Sequence, residues 1–94
     1  MHLEIEFNPC AFKHGVSEAD IRYAFDTGCY DGKLDENDEE DRDKYLLIGF
    51  DRNANPLEIM YNVIDENTIN VFHAMKCRSI YHHLLNYRSG KWQE

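Results

Sequence analysis

Three strand-like segments follow one another in the second half of the chain, and the short connections between them restrict the fold more than any other feature. Residues 44–51, 57–64 and 69–75 are rich in aliphatic, β-branched and aromatic side chains. The first two segments are joined by Arg52-Asn53-Ala54-Asn55-Pro56, and the last two by a turn centred on Glu66-Asn67. Because connections of this length join neighbouring antiparallel strands, the sequence predicts a three-stranded antiparallel meander.

Further elements are predicted on either side of the meander. Residues 3–7 alternate apolar and acidic side chains, which is typical of a half-buried strand, and residues 10–14 indicate one helical turn. Ser17 is a predicted N-cap for a helix over about residues 18–27, and residues 76–87 have helical spacing. The predicted fold is therefore α+β: an antiparallel sheet of one N-terminal strand plus the three-strand meander, with N-terminal helices and a C-terminal helix.

Length and composition indicate a single domain spanning residues 1–94. With 43% hydrophobic residues, the chain can bury a modest core. Cys10, Cys29 and Cys77 are an odd number, unlike the dense disulfide frameworks of small secreted domains. Residues 1–25 contain no signal-peptide pattern, and no apolar stretch is long enough to span a membrane. We therefore expect a cytoplasmic protein with reduced thiols and no membrane partner.

The net charge of −8 is unevenly distributed along the chain. Eight acidic residues lie between residues 31 and 43, where the near absence of apolar side chains predicts an exposed loop. From residue 73 to the end, basic residues outnumber acidic ones. The acidic segment lacks the ligand order of a calcium-binding EF-hand loop. Two roles stay open for it, which are to repel RNA or to contact a basic partner.

The turn at residues 66–67 predicts which side chains lie opposite each other in the sheet. The predicted pairs across this turn are Met60 with His73, Asn62 with Val71, and Glu58 with Met75. The simplest pairing across the preceding loop is Phe50 with Leu57, Ile48 with Ile59, and Gly49 with Glu58. On this register Glu58 and His73 are diagonal neighbours within reach of a direct contact.

The same register divides the meander into an apolar core face and a mixed face. The expected core face consists of Leu46, Ile48, Phe50, Leu57, Ile59, Tyr61, Val63, Phe72 and Ala74. The expected mixed face consists of Tyr45, Leu47, Gly49, Glu58, Met60, Asn62, Val71, His73 and Met75. Exposed Met60, Met75 and Val71 on the mixed face would suit either an RNA base or the apolar helix of a partner.

A segment near the N-terminus resembles a family of bacterial toxins. Lys13-His14-Gly15-Val16-Ser17, with Ala19-Asp20-Ile21 and Ala24-Phe25-Asp26 after it, is similar to the opening of the BrnT-type toxins of toxin–antitoxin pairs. The later order is similar too, with a Tyr-Leu-Leu-Ile-Gly strand at 45–49 and a Met-Tyr strand at 60–61. The resemblance implies a RelE-like fold and a metal-independent ribonuclease. It also implies a cognate ribbon-helix-helix antitoxin that inactivates the toxin and represses the operon, so that DNA is bound only through the antitoxin.

The chain departs from this family at the junction of the last strand and the helix. Where the family typically reads Ile-Ser-Ala-Arg-Arg, this chain reads Phe72-His73-Ala74-Met75-Lys76. Metal-free RNA cleavage needs a base, an acid and a cation that stabilises the charged phosphorane. We therefore predict His73 as acid or base, Glu58 as its orienting or second proton-transfer group, and Lys76 or Arg78 as the phosphate-binding cation. The alternative is that His73 is a packed strand histidine paired to Glu58.

Three further residues are candidates for RNA binding. Lys13 and His14 could contact phosphate beside the sheet, although His14 could equally cap the short helix before Gly15. Arg52 lies in a hairpin loop, where the alternative is a solvated charge. We expect no metal and no cofactor, because the residues that a zinc site would use have spacings unlike those of zinc fingers; they are Cys10 and His14 with Cys77 and His82.

These observations lead to two functional hypotheses. The first is an endoribonuclease toxin of a type II pair, with RNA as substrate and an antitoxin covering its active face. The second is a non-catalytic partner of the same fold, retained to bind the antitoxin and tune repression. The loss of the family's basic pair and the acidity of the chain favour the second hypothesis.

Overall fold

A five-stranded sheet forms the centre of the fold in the computed structural model, which describes residues 3–34 and 43–86. In chain order the elements are β1 (Glu4–Phe7), a first 3₁₀ helix (Pro9–Phe12), α1 (Glu18–Asp26), β2 (Tyr30–Lys33), β3 (Lys44–Phe50), β4 (Pro56–Asp65), β5 (Thr68–Lys76) and a second 3₁₀ helix (Ser79–Asn86). The strands lie in the order β1-β5-β4-β3-β2. The α+β class and the meander are thus confirmed.

Three predictions about the elements differ from the structure. The sheet is mixed, because β1 runs parallel to β5 where an antiparallel strand was expected. The predicted acidic loop begins inside β2, which pairs with β3; its remaining residues 35–42 lie outside the described residues. The C-terminal helix is a 3₁₀ helix that begins at Ser79, because β5 continues to Lys76 and the Cys77 N–H donates to the Pro56 carbonyl.

Helix α1 follows the local sequence signals closely. Ser17 caps it by accepting a hydrogen bond from the Asp20 N–H at 3.1 Å, and the acidic residues of the first turn suit the helix dipole. Ile21 and Ala24 are fully buried against the sheet. Within residues 3–34 and 43–86, no helix is long and apolar enough to cross a membrane.

The β3–β4 register is displaced by one residue from the predicted pairing. Phe50 pairs with Pro56, and Ile48 pairs with Glu58. The cause is Asp51, whose side chain accepts the N–H groups of Asn53 and Asn55, at 2.9 Å each, and thereby closes a shorter loop. Pro56 can begin β4 because the first residue of a strand needs no N–H donor.

The β4–β5 register is as predicted near His73 and shifts beyond it. Met60 lies opposite His73 and Glu58 opposite Met75, but Tyr61 pairs with Val71. The expected pairing of Asn62 with Val71 is therefore wrong. An extra residue in β5, Phe72, forms a β-bulge at the shift. Val71 is consequently fully buried, not exposed on the mixed face.

These two shifts define the two faces of the sheet. The α1 face carries the main core, whose buried sheet residues are Leu47, Leu57, Ile59, Tyr61, Ile69, Val71 and Ala74. The opposite face, called the histidine face below, carries Lys44, Leu46, Ile48, Glu58, Met60, Asn62, Asn70, Phe72, His73 and Met75. The second 3₁₀ helix packs Tyr81, Leu84 and Leu85 over one part of the histidine face.

Close packing of α1 on β3 depends on Gly49. A Cβ atom at Gly49 would overlap the backbone of Ala24, whose carbonyl oxygen is its nearest neighbour. We expect Gly49→Ala to lower the free energy of unfolding by about 1–3 kcal/mol, because a helix backbone must move away from the sheet. At Gly28 a new Cβ atom would meet mainly the end of the Leu47 side chain, at 3.3 Å.

Urea denaturation of both variants measures the difference. Gly28→Ala is the matched control and should cost less than about 1 kcal/mol. Equal losses for the two variants would show that the Ala24 contact does not limit the approach of α1.

Candidate active site

A buried carboxylate lies at the centre of the histidine face. Glu58 is 0% exposed and belongs to the central strand β4. Its Oε1 atom accepts the Arg78 backbone N–H at 2.9 Å and the Arg78 Nε–H at 3.0 Å. Its Oε2 atom accepts Arg78 Nη2 at 2.7 Å and lies 2.9 Å from His73 Nε2. Both oxygens of the buried group are thus satisfied, as a buried charge requires.

The Glu58–Arg78 contact keeps both groups charged. Burial by itself opposes ionisation of Glu58, but the hydrogen bonds from Arg78 and His73 outweigh it, so that the pKa of Glu58 is lowered. The same hydrogen bond raises the pKa of Arg78. The Arg78 side chain is 47% exposed, so one side of its guanidinium binds Glu58 while the rest faces solvent.

The contact with Glu58 also sets which nitrogen of His73 carries a proton. An ionised carboxylate can only accept hydrogen bonds, so Nε2 of His73 donates to it. In the neutral ring, Nδ1 is then the atom with a free lone pair. The His73 side chain is 20% exposed, which leaves part of the ring open to a ligand.

A second imidazole lies beside the first. The rings of His14 and His73 are 5.7 Å apart between centroids, at an interplanar angle of 72°. The N-terminal segment reaches this place because the Asn8 N–H donates to the Val71 carbonyl and the first 3₁₀ helix then follows the edge of β5. Gly15, at a φ of 83°, turns the chain after His14. The C-cap of the short helix is Lys13, so His14 has no capping role there.

The other predicted site residues lie around or away from this cluster. Lys13 is exposed and adjoins His14 along the chain. Lys76 is exposed and lies opposite Leu57, so its side chain leaves the sheet on the α1 face. Arg52 does not join the cluster; its Nε donates to Asp20 at 2.8 Å, at the N-terminus of α1.

Two features of the cluster differ in how far the sequence indicates them. Arg78 was predicted to bind a phosphate, and in the structure its guanidinium also donates hydrogen bonds to Glu58. A lone glutamate in an apolar strand does indicate a buried partner cation, because an unpaired buried charge is costly. The contact of His14 with His73 depends on the parallel pairing of β1 with β5, and no local sequence pattern indicates that pairing.

The three cysteines form no disulfide bond. Cys10, Cys29 and Cys77 are free thiols. Burial raises the pKa of the Cys77 thiol, and the nearby negative charge of Glu58 adds to this shift. The thiolate form of Cys77 is therefore disfavoured. Among the described residues, no group of three or more histidine, cysteine, aspartate or glutamate side chains could hold a metal ion.

Comparisons of the chain with protein families, with characterised proteins and with solved structures found no match. The chemistry of the cluster therefore has to follow from its own residues. Two imidazoles can transfer protons near neutral pH, and a partly exposed guanidinium can bind a phosphate. The buried carboxylate fixes the positions of one imidazole and of the guanidinium.

The lowered pKa of Glu58 predicts how its contribution to stability varies with pH. Its folded-state pKa lies below the ordinary value of 4.5, so its contribution is complete above about that pH and is lost as the pH falls through the folded-state value. We expect Glu58→Gln to cost on the order of 2 kcal/mol at pH 7, because a charge-assisted hydrogen-bond acceptor is lost.

Denaturation at several pH values between neutral and acidic tests this expectation. The gap in unfolding free energy between wild type and Glu58→Gln should narrow as the solution becomes acidic. Other carboxylates with lowered pKa values, such as Asp20 and Asp51, remain in both proteins and cancel in this difference. A gap that stays constant with pH would contradict an ionised Glu58.

Proposed function

We propose that the protein is a metal-independent endoribonuclease, acting as the toxin of a type II toxin–antitoxin pair. The observation that carries the proposal is the contact of two imidazoles, His14 and His73, next to the Glu58–Arg78 ion pair. Base, acid and cation are the three groups that metal-free RNA cleavage needs. The resemblance of residues 13–17 to BrnT-type toxins points to the same chemistry, and to a RelE-like fold.

The two histidines divide the proton transfers. Nδ1 of His73 takes the proton from the 2′-hydroxyl, and the 2′-oxygen attacks the adjacent phosphorus. The bond from phosphorus to the 5′-oxygen then breaks, and the His14 imidazolium gives that oxygen a proton. The products are a 2′,3′-cyclic phosphate and a free 5′-hydroxyl, and no oxidant, metal or further reactant is needed.

Arg78 and Glu58 support the transfer in different ways. The exposed side of the Arg78 guanidinium stabilises the negative charge that gathers on the phosphate oxygens. Glu58 contacts no substrate; it holds the His73 ring and the guanidinium in place. Lys13, exposed beside His14, adds a cation for the RNA backbone.

We expect His73→Ala and His14→Ala each to lower RNA cleavage by at least about 100-fold, because each removes one proton-transfer group. His83→Ala is the matched control, since His83 is an exposed histidine on the second 3₁₀ helix, outside the cluster. The purified protein is incubated with single-stranded RNA in the presence of EDTA. Cleavage is followed by electrophoresis, and the ends of the products are identified by mass spectrometry.

Two results would contradict this function, and a third would contradict only the site. The first is that RNA stays intact in EDTA and that expression does not slow bacterial growth. The second is that the products carry a 3′-hydroxyl instead of a cyclic phosphate. If cleavage occurs and both histidine variants keep full activity, the assignment of the cluster is wrong although the activity is real.

An antitoxin is the proposed partner, and the cytoplasm the proposed compartment. Ile80 is 61% exposed, the most exposed large apolar side chain among the described residues, and it follows Arg78 closely in the chain. An apolar segment of a ribbon-helix-helix antitoxin that covers Ile80 would also block Arg78.

A non-catalytic antitoxin-binding role remains the second candidate. This role is favoured because both carboxylate oxygens of Glu58 bind Arg78 within the protein, as they would in a purely structural ion pair. Binding of a cognate ribbon-helix-helix antitoxin, with no RNA cleavage by the free protein, would select this role.

A further inference from the structure

The β-bulge in β5 places two consecutive side chains on the same face of the sheet. Val71 and Ala74 both belong to the core of the α1 face, so Phe72 and His73 between them both lie on the histidine face. Nζ of Lys44, on the same face of β3, lies 5.8 Å from the centre of the Phe72 ring. Phe72 is only half-buried, so an aromatic surface lies next to the proposed proton-transfer residue.

Two amides adjoin this aromatic surface. Asn62 and Asn70 pair directly across β4 and β5, and Asn70 Nδ2 donates to Asn62 Oδ1 at 3.1 Å. Within the described residues, Nδ2 of Asn62 and Oδ1 of Asn70 make no hydrogen bond. The pair therefore leaves the Nδ2 donor of Asn62 and the Oδ1 acceptor of Asn70 for a ligand over the histidine face. Both residues are half-buried, so their amide groups are held in place but remain accessible.

From this arrangement we infer that Phe72, Asn62 and Asn70 form a purine-binding subsite for the nucleotide whose 3′-phosphate is held by His73 and Arg78. The inference rests on the proposed function, because it names a part of the RNA that the same face would bind. A base stacks on the Phe72 ring, and a purine offers the larger stacking surface. An amide donor and acceptor match N7 and the N6 amine of adenine.

The spacing of these groups fits one nucleotide. Met60, opposite His73, and Asn62 are two residues apart on β4, which corresponds to about 7 Å along a strand. Glu58 and Arg78 lie on the other side of Met60, towards the start of β4. When the 3′-phosphate of a nucleotide binds at Arg78 and His73, the base of that nucleotide therefore lies over Phe72. The edge of the base then faces the two amides. Nζ of Lys44 lies over the same ring, so a base would stack on the other face of Phe72, with this cation near the charged backbone of the RNA.

Binding of mononucleotides tests the subsite without any cleavage. The wild-type protein is titrated with adenosine 3′-monophosphate and uridine 3′-monophosphate, and NMR signals of the Asn62 and Asn70 side-chain amides are followed. We expect adenosine 3′-monophosphate to bind about tenfold more tightly, and Phe72→Leu to remove most of that difference, because base stacking is lost. Phe25→Leu, the same change in helix α1 on the opposite side of the sheet, should keep the preference.

Mapping the cleavage of an RNA pool of random sequence gives a second readout. Enrichment of purines immediately 5′ of the cleaved bond in the wild type, and its loss in Phe72→Leu, supports the subsite. Equal binding of the two nucleotides, or an unchanged preference in Phe72→Leu, overturns it. Selective adenosine binding without RNA cleavage would retain the subsite and reject the nuclease, whereas cleavage without base preference would do the reverse.

Discussion

The buried carboxylate of Glu58 is the constraint on which the histidine face depends. It lies in the central strand, where an unpaired charge would strongly destabilise the fold, and it therefore needs the guanidinium of Arg78. Satisfying Glu58 fixes the chain just after β5, and the second 3₁₀ helix begins one residue later. The same carboxylate orients His73. A requirement of folding and a requirement of the proposed chemistry thus fall on the same side chain.

The pairing of β4 with β5 around Glu58 and His73 could be predicted from the sequence. A two-residue turn at residues 66–67 sets the opposite pairs, and Met60 with His73 and Glu58 with Met75 agree with that prediction. Two irregularities compensate each other on the way: β4 has an extra residue between Val63 and Asp65, and β5 has an extra residue, Phe72, opposite the step from Met60 to Tyr61. The contact of Glu58 with His73 therefore survives although the residues between do not follow a regular ladder.

The β3–β4 register, the bulge in β5 and the β1–β5 pairing could not be predicted. They depend on hydrogen bonds within a loop or on contacts between segments far apart in the sequence. The Asp51 carboxylate shortens the β3–β4 loop, and this one-residue change moves Leu47 to the α1 face and Ile48 to the histidine face. Neither glycine nor proline marks the bulge at Phe72, so the local sequence still suggests a regular strand. The parallel β1–β5 pairing joins segments from opposite ends of the described chain, for which a single sequence carries no signal.

That parallel pairing also makes the site depend on the N-terminal strand. The meander can bring Glu58, His73 and Arg78 together through contacts that are local in the sequence, as hairpins do early. The imidazole of His14 arrives only when the N-terminal strand docks beside β5, which closes a loop containing most of the chain. Any form of the molecule in which β1 is undocked therefore holds an oriented histidine without its neighbour. The two-imidazole centre is complete only when β1 is paired with β5.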